Sequence, residues 1–581
     1  MKKIFLIVFS LLVLFSCKKD LLDIPDPKSV YEVWDNPQKA SLYINDLYGR
    51  CLPSDFSGNS EKSDESPGGN NFMYGMVTPE TESDIGHFSA ATFRSIRYIN
   101  IALEELESSN MKPKYIKLMK GQAYFLRAWT YWDRLVKYYG GVPLITNALN
   151  PYTEEIDVPR NTTKECIEQI VADLDSATAN LPAEWYDNEY ARVTRGSAMA
   201  LKGRVLLFWA SPQYNPNNEL DRWQMAYDAN KAALDTLDAD GYDLHRKFEE
   251  IFLAEANEEA IFIAAYGGID ATHEWDWDTR PVYAGGSGLE NHPTWNLVKA
   301  FPMENGLKIT DPASGYDSSK YWEDRDPRFY ETIAYNGCEW NFSGVNDNVL
   351  LNYIYYVKNE GTGQVEMDAE GQPVIGALEE SFSSTGFFCK KGIDPDLSAS
   401  DVTESKVDWI EIRMAEVMLN FAECANEIGN NTEALEQIYD LRKRVRIDEG
   451  ANGTYGLDPN MGQDELREAI MTERQIELAF ENKRYWDLRR RNAFVGDAYS
   501  VLQLNGTRRS ANIMILDSAY NITNFQDSLR NGLIDLSRAS EISKYFEAFI
   551  IEENDPINYP QPLYNFFPIS FNVLEKAPNL Q

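Results

Sequence analysis

The sequence predicts a mainly α-helical protein in which tetratricopeptide-like helix pairs support an irregular, loop-rich lobe with a few short β-hairpins. Three observations lead to this fold class. Long segments carry apolar residues at the helical spacing of three and four. Two such segments are joined by a very short turn at residues 429–431, whereas residues 241–408 cluster Tyr, Trp, Gly and Asp. A helix pair of this kind buries its apolar faces only against neighbouring helices, as helical-repeat proteins do.

Helices are predicted wherever that spacing persists. In the first of them Phe125, Trp129 and Trp132 lie on one face, and Gly140-Gly141 is expected to end the helix. Trp129, Trp132, Trp209 and Trp486 fall within regular helices and are assigned to the core, whereas Trp295 and Trp340 are left open. The predicted helices span residues 114–139, 163–180, 194–210, 407–428 and 463–490, and another begins at Thr432.

The middle of the chain, residues 241–408, is predicted to be a lobe of loops with short strands. The short apolar runs Ile261–Ile263 and Val349–Val357 are typical of strands in small hairpins rather than of a large sheet.

The N-terminus reads as a targeting signal. Lys2 and Lys3 precede an apolar run from Ile4 to Phe15, which is too short to span a bilayer as a helix. The sequence LFSC that ends at Cys17 resembles a bacterial lipoprotein box, whose cysteine carries the lipid. We therefore expect a signal peptide at 1–16, lipid attachment at Cys17, and a tether over 17–28.

The charge balance restricts the possible ligands. The 581 residues include 55 Lys and Arg against 91 Asp and Glu, a formal net charge of −36. Such a protein repels the phosphate backbone, so no nucleic-acid partner is expected. Uncharged polar ligands such as sugars, which need hydrogen bonds and stacking faces, remain compatible with this charge.

No catalytic motif stands out. The four histidines form no HExxH pattern, and neither a G-x-S-x-G nor a phosphate-binding Gly-rich loop is present. The Cys spacing contains no CxxC pair, and the cysteines beyond Cys17 are expected to be small core residues. Glycosidase chemistry needs two carboxylates on either side of a sugar, and a chain with 91 acidic residues contains many such pairs. No motif in the sequence marks one pair as catalytic. No catalysis is therefore expected.

Six segments resemble, in order, motifs of the SusD/RagB family of nutrient-binding lipoproteins, and the resemblance covers nearly the whole chain. The departure from the family pattern is Gln122, where Glu is usual. The segments are GQAYFLRA (121–128) leading to YGGVPL (139–144), RVTRGSA (192–198), DRDPRF (324–329), RMAEVMLNFAECANE (413–427), ERQIELAFENKRYWDLRR (473–490), and FPI (567–569) with the ending NLQ (579–581).

The resemblance implies the SusD-like fold and a division into an N-terminal helical part (29–240), the insert (241–408) and a C-terminal helical part (409–581). It also implies a lipid-anchored, surface-facing protein of the outer membrane that binds an oligosaccharide and passes it to a SusC-like TonB-dependent transporter. Two alternatives stay open: the same architecture binding peptides, as the RagB branch implies, or a surface glycoside hydrolase.

The candidate sugar-binding residues are aromatic and polar side chains in two loop-rich regions. Sugar C–H faces stack on aromatic rings, while Asn and Asp side chains exchange hydrogen bonds with hydroxyl groups. The segment HEWDWD (273–278) also gathers oxygen ligands suited to Ca²⁺, although it lacks the spacing of a calcium loop, and no cofactor is otherwise expected. The candidates are Asn71, Tyr74 and His87 in the first region and Trp275, Trp277 and Tyr283 in the second.

The charged residues of the C-terminal motifs are expected to be structural. Arg474, Glu477, Glu481 and Arg484 are spaced by three and four residues, which predicts one helix face of mutually paired charges.

Overall fold

A computed structural model of the chain describes most of the helical parts and much of the lobe. The N-terminal signal, Cys17, the tether, Asn71 and Tyr74 lie outside the described residues. The described ranges are 33–53, 60–67, 77–81, 85–149, 158–186, 189–267, 271–335, 338–345, 385–493, 509–516, 531–533, 546–553 and 566–580, with short pieces between 354 and 383.

The mainly helical fold class is confirmed. Within the described residues, no helix is long and apolar enough to cross a membrane. The helices are α1 (Pro37–Cys51), α2 (Ala90–Ser108), α3 (Pro113–Thr130, continued by the π-helical turn Tyr131–Val136 and by Lys137–Tyr139), α4 (Thr163–Asn180), α5 (Arg195–Ala210), α6 (Leu220–Ala239), α7 (Trp275–Thr279), α8 (Trp295–Ala300), α9 (Pro327–Thr332), α10 (Met414–Glu427), α11 (Asn431–Arg444), α12 (Gln463–Glu477), α13 (Arg484–Arg490) and α14 (Phe571–Lys576).

The described strands pair two by two, all antiparallel. The run at 261–263 is a strand, as predicted, but its partner lies about 150 residues further along the chain rather than in a hairpin. The pairs are β1 (Ala260–Ala264) with β6 (Trp409–Arg413), β2 (Ile333–Ala334) with β5 (Phe388–Cys389), β3 (Ile354–Tyr356) with β4 (Ile375–Ala377), and β7 (Arg509–Leu516) with β8 (Phe546–Glu553).

The scaffold helices pack in sequence order, α3 on α4, α4 on α5 and α5 on α6, and α6 then packs on α10. Side-chain capping determines where two of these helices begin. Thr162 and Glu165 form a capping box that begins α4, and Thr194 and Ser197 form one that begins α5. Gly140, at φ +69°, ends α3 as the sequence predicted.

The predicted helix over 407–428 begins too early in the chain. Residues up to Arg413 form β6, and α10 starts only at Met414. Ile410 and Ile412 are β-branched, and they pair with Ile263 and Phe262 of β1, so tertiary pairing overrides the helical spacing.

The predicted helix over 463–490 is broken. It ends at Glu477, passes through a turn in which Phe480 and Asn482 have φ near +60°, and resumes at Arg484. The Phe480 backbone N–H donates to the Glu65 carboxylate at 2.8 Å, which supports the turn from another part of the chain.

That break also overturns the expected charge pairing along one helix face. The side chains are ion-paired, but with partners elsewhere in the chain rather than with one another. Arg474 contacts Asp487, Arg484 contacts Asp64, Glu477 contacts Arg328, Arg413 and Arg444, and Glu481 contacts Arg413 and Lys391.

Two main hydrophobic clusters organise the molecule. One fills the helical scaffold and contains Trp129, Trp132 and Trp486, as predicted, while Trp209 is only half-buried. The other fills the lobe and contains Trp295 and Trp340, so these two residues, which the sequence left unassigned, are core residues. The cysteines of the described residues are unpaired and buried, as expected.

Candidate functional site

The segment from Trp275 to Glu290 presents an exposed aromatic ring on a fixed backbone. Its first part is the single-turn helix α7, in which residues two positions apart point to nearly opposite sides. Trp275 therefore faces the core, 5% exposed, and its indole N–H donates to the Lys391 carbonyl at 3.1 Å. Trp277 faces outward and is 38% exposed.

The backbone of Trp277 is held from two directions. Its N–H donates to the Val402 carbonyl at 3.1 Å, and its carbonyl accepts from the Ser287 N–H at 2.6 Å. The next residue, Asp278, accepts at its carbonyl from the Glu290 N–H at 3.2 Å. The ring is thus presented by a closed loop, so little conformational entropy remains to be lost on binding.

Exposed apolar and acidic groups lie on the same loop as this ring. Val282 and Leu289, on the same loop, are 46% and 72% exposed. Partial burial raises the pKa of Asp278, and together with the nearby carboxylates of Glu290 and Glu274 it brings this pKa to about 6. We call Trp277, Asp278, Val282, Leu289 and Glu290 the Trp277 surface. It combines a flat ring with hydrogen-bond acceptors.

A segment from the N-terminal part, residues 60–67, supports this loop from behind. The Ser60 hydroxyl donates to the Asn291 side-chain oxygen at 2.7 Å, and the Asn291 amide donates to the Thr279 hydroxyl at 3.0 Å. The Thr294 N–H donates to the carbonyl of Glu65 at 2.9 Å. Burial raises the pKa of the Glu65 carboxyl to about 8.

The four sugar-binding candidates within the described residues do not form one surface. Trp277 is exposed, but Trp275 is a core residue and Tyr283 is half-buried, with its ring against Phe342. His87 packs its ring on Tyr138, 4.7 Å between centroids, and burial lowers its pKa to about 4. Asn71 and Tyr74 lie outside the described residues.

The side chains of residues 273–278 do not converge as a calcium site would require. The His273 ring nitrogens contact the Val407 carbonyl and the Trp275 N–H, and Asp276 is paired with Arg280. Across the part of the chain that the structure describes, no three His, Cys, Asp or Glu side chains converge to hold a metal ion.

Sequence reasoning missed most of the Trp277 surface. Val282, Leu289 and Glu290 were not candidates because each is an ordinary surface residue taken alone. The feature of the sequence that could have indicated them is the group of glycines at 285, 286 and 288. Gly285 and Gly288 have positive φ and turn the chain back beside Trp277.

Comparison with known proteins agrees with the fold. The family model described as "SusD family" matches residues 258–581, and the model described as "Starch-binding associating with outer membrane" matches residues 59–207. A SusD-like protein of Formosa agariphila is 25% identical over 512 residues, which cover 84% of this chain and 91% of that protein.

Two solved structures share the architecture. A SusD-like protein from Bacteroides fragilis superposes with a TM-score of 0.69 at 24% identity, covering 97% of this chain and 99% of that one. A SusD-like carbohydrate-binding protein from the same species gives a TM-score of 0.67 at 22% identity, covering 94% of this chain and 100% of that one.

Proposed function

The chain belongs to the SusD family, and from that premise we propose that it binds a glycan at the cell surface on the Trp277 surface. The observation that carries the proposal is one rigidly presented, exposed indole with carboxylates beside it. The resemblance to a carbohydrate-binding protein of the same fold supports the same class of ligand.

The chemistry of the Trp277 surface suits a sugar. The indole face would stack on the C–H face of one pyranose ring, and Val282 and Leu289 would cover the apolar edges of its neighbours. The carboxylates of Asp278 and Glu290 would accept hydrogen bonds from hydroxyl groups, and such charge-assisted bonds are the stronger kind.

The charge around Trp277 favours an uncharged glycan. Glu274, Asp278 and Glu290 place negative charge at the ring, and the whole chain carries −36. A sulfated or uronic-acid glycan would be repelled, and the repulsion would be screened as salt is added. We therefore propose a neutral polysaccharide as the ligand.

We further propose that the protein is tethered to the outer membrane through lipid on Cys17 and delivers its ligand to a SusC-like transporter without altering it. The family model's association with the outer membrane supports this placement. Metabolic labelling with a palmitate analogue should mark the wild type and not Cys17→Ala. Equal labelling of the two would contradict the anchor.

The test of ligand binding compares two exposed aromatic residues. Trp277→Ala removes the stacking face and should weaken binding of a neutral polysaccharide by about 1–3 kcal/mol, measured by isothermal titration against a panel of neutral and sulfated glycans. The matched control is Tyr186→Ala, because Tyr186 is 81% exposed and lies outside the Trp277 surface. The control should bind as the wild type does.

Other outcomes assign a different function. Binding to no glycan but to a protein digest would replace the sugar by a peptide. Release of reducing ends from a bound glycan, lost in Asp278→Asn, would replace binding by hydrolysis. Equal affinity of Trp277→Ala and the wild type would move the site away from Trp277.

A further inference from the structure

Two hollows share the segment Glu189–Arg192 in their lining, where the helical scaffold meets β1. Their volumes are about 410 Å³ and 650 Å³, and both are walled by Tyr190 and by Ile263 of β1. Small-ligand pockets in proteins have volumes of about 300–1,000 Å³. No residue of the Trp277 surface lines either hollow.

Tyr190 lines both hollows, and its ring is held in place by its hydroxyl group. That group donates to the Asp408 carboxylate at 2.8 Å and accepts from the Ala256 N–H at 3.1 Å. The ring nevertheless remains 41% exposed. The following residue, Ala191, has φ +61°, an uncommon conformation that turns the chain behind the ring.

The larger hollow also has a fixed polar side. Arg192 donates to the side-chain oxygens of Asn45 at 2.8 Å and Gln122 at 2.9 Å, and it pairs with Glu189. Since the Asn45 oxygen is occupied in this way, its amide NH₂ is left as a donor, and among the described residues no acceptor engages it. The Thr272 hydroxyl lies on the same hollow and is exposed.

From this arrangement we propose a second saccharide-binding site in the larger hollow, with Tyr190 as its stacking face. The proposal rests on the proposed function, in that the ligand is again a neutral glycan. The C–H face of a sugar would lie on Tyr190, and its hydroxyls would meet the Asn45 amide, the Thr272 hydroxyl and the Glu189 carboxylate. Among the described residues that line this hollow the charged ones are Glu189 and Arg192, so the lining, unlike the Trp277 surface, carries no net charge.

A second site on another part of the chain gives a long polysaccharide two attachment points. Binding at one point raises the effective concentration at the other, so long chains are retained more strongly than short ones. Short oligosaccharides, by contrast, report the two sites separately through their stoichiometry.

The experiment titrates neutral oligosaccharides of four to six sugars, prepared from whichever polysaccharide the wild type binds, into the full mature chain. We expect two molecules bound per wild-type chain, and one each for Tyr190→Ala and for Trp277→Ala. The double variant should bind none. Tyr186→Ala is the matched control, because Tyr186 is exposed, close in sequence and outside both hollows, and it should bind two.

Because the Tyr190 hydroxyl joins two other segments, its removal also lowers stability. Ala265→Arg gives a second route, since Ala265 is exposed and lines the hollow, and a long side chain there fills it without altering Tyr190. It should reduce the stoichiometry from two to one with an unchanged thermal midpoint.

The outcomes separate the two proposals. One molecule bound per wild-type chain, lost in Trp277→Ala and retained in Tyr190→Ala and Ala265→Arg, overturns the second site and leaves the proposed function standing. Binding of a protein digest that Tyr190→Ala abolishes overturns the saccharide assignment of the hollow. No glycan binding by the wild type, at any chain length, overturns both proposals.

Discussion

Carboxylates in the helical scaffold and carboxylates around Trp277 have opposite surroundings. In the scaffold, burial alone would raise the pKa of Glu477, but Arg444, Arg413 and Arg328 lower it well below its usual range. Around Trp277, partial burial raises the pKa of Asp278 to about 6, and the groups beside it, Glu290 and Glu274, are themselves acidic.

The difference separates structural charge from charge available to a ligand. Each buried carboxylate within the C-terminal motifs at 413–427 and 473–490 has an arginine or lysine at hydrogen-bonding distance, as Glu423 has in Arg490 and Arg491. Such a pair fixes how two helices meet and offers nothing to solvent. Among the described residues no arginine or lysine pairs with the carboxylates of the Trp277 surface, so their oxygens are available to hydroxyl groups.

The largest expected effect comes from breaking the scaffold network at Arg413. This side chain is 1% exposed and contacts Glu259, Glu477 and Glu481 at 2.6–2.8 Å. Arg413→Met leaves buried negative charge without one of its cations, which should lower the free energy of unfolding by about 3–5 kcal/mol, read from the urea midpoint.

The control for that loss is Lys164→Met. Lys164 forms an exposed pair with Glu168 at 3.8 Å, and such pairs contribute little. Its urea midpoint should equal that of the wild type. A midpoint for Arg413→Met that is also unchanged would mean that the network does not stabilise the scaffold.

The next effect tests the division between core and surface within one helical turn. Trp275→Ala removes a side chain that is 5% exposed and should cost about 3 kcal/mol of stability through the cavity it leaves. Trp277→Ala should leave the urea midpoint close to that of the wild type while weakening glycan binding. Equal losses of stability in the two variants would mean that Trp277 is a packing residue.

The scaffold could be predicted from the sequence where helix formation is a local matter. The helix predicted over 163–180 has the bounds of α4, because a capping box at Thr162 and a continuous apolar face define it. The helices over 407–428 and 463–490 were misjudged where distant groups intervene: β1 pairs with Trp409–Arg413, and Glu65 supports the turn at Phe480.

The candidate site was less predictable for the same reason. Sequence composition identified the loop that carries the exposed indole, but composition does not distinguish Trp275 from Trp277. Which of them is exposed is decided by the Lys391 and Val402 carbonyls, both more than 100 positions away, and by the lobe core. The wall formed by Tyr190 carries no sequence signal, since its hydroxyl partners lie at Ala256 and Asp408.

The smallest expected effect concerns the protonation of Asp278. Its folded-state pKa, about 6, lies above that of an unfolded Asp, so this carboxyl stabilises the fold most below the unfolded pKa, and that contribution is lost as pH rises through 6. Binding should change in the other direction. A hydroxyl donates more strongly to the charged form, by about 1 kcal/mol, so glycan affinity should rise up to about fivefold between pH 5 and 7.

Asp278→Asn should make that affinity profile flat, because the amide oxygen accepts a hydrogen bond but does not titrate. The matched control is Asp221→Asn, an exposed carboxylate in α6, which should keep the wild-type rise with pH. Isothermal titration at pH 5, 6 and 7 measures all three proteins. If Asp278→Asn keeps the rise, another group at the site titrates, and Asp278 takes no more part in binding than the paired carboxylates of the scaffold do.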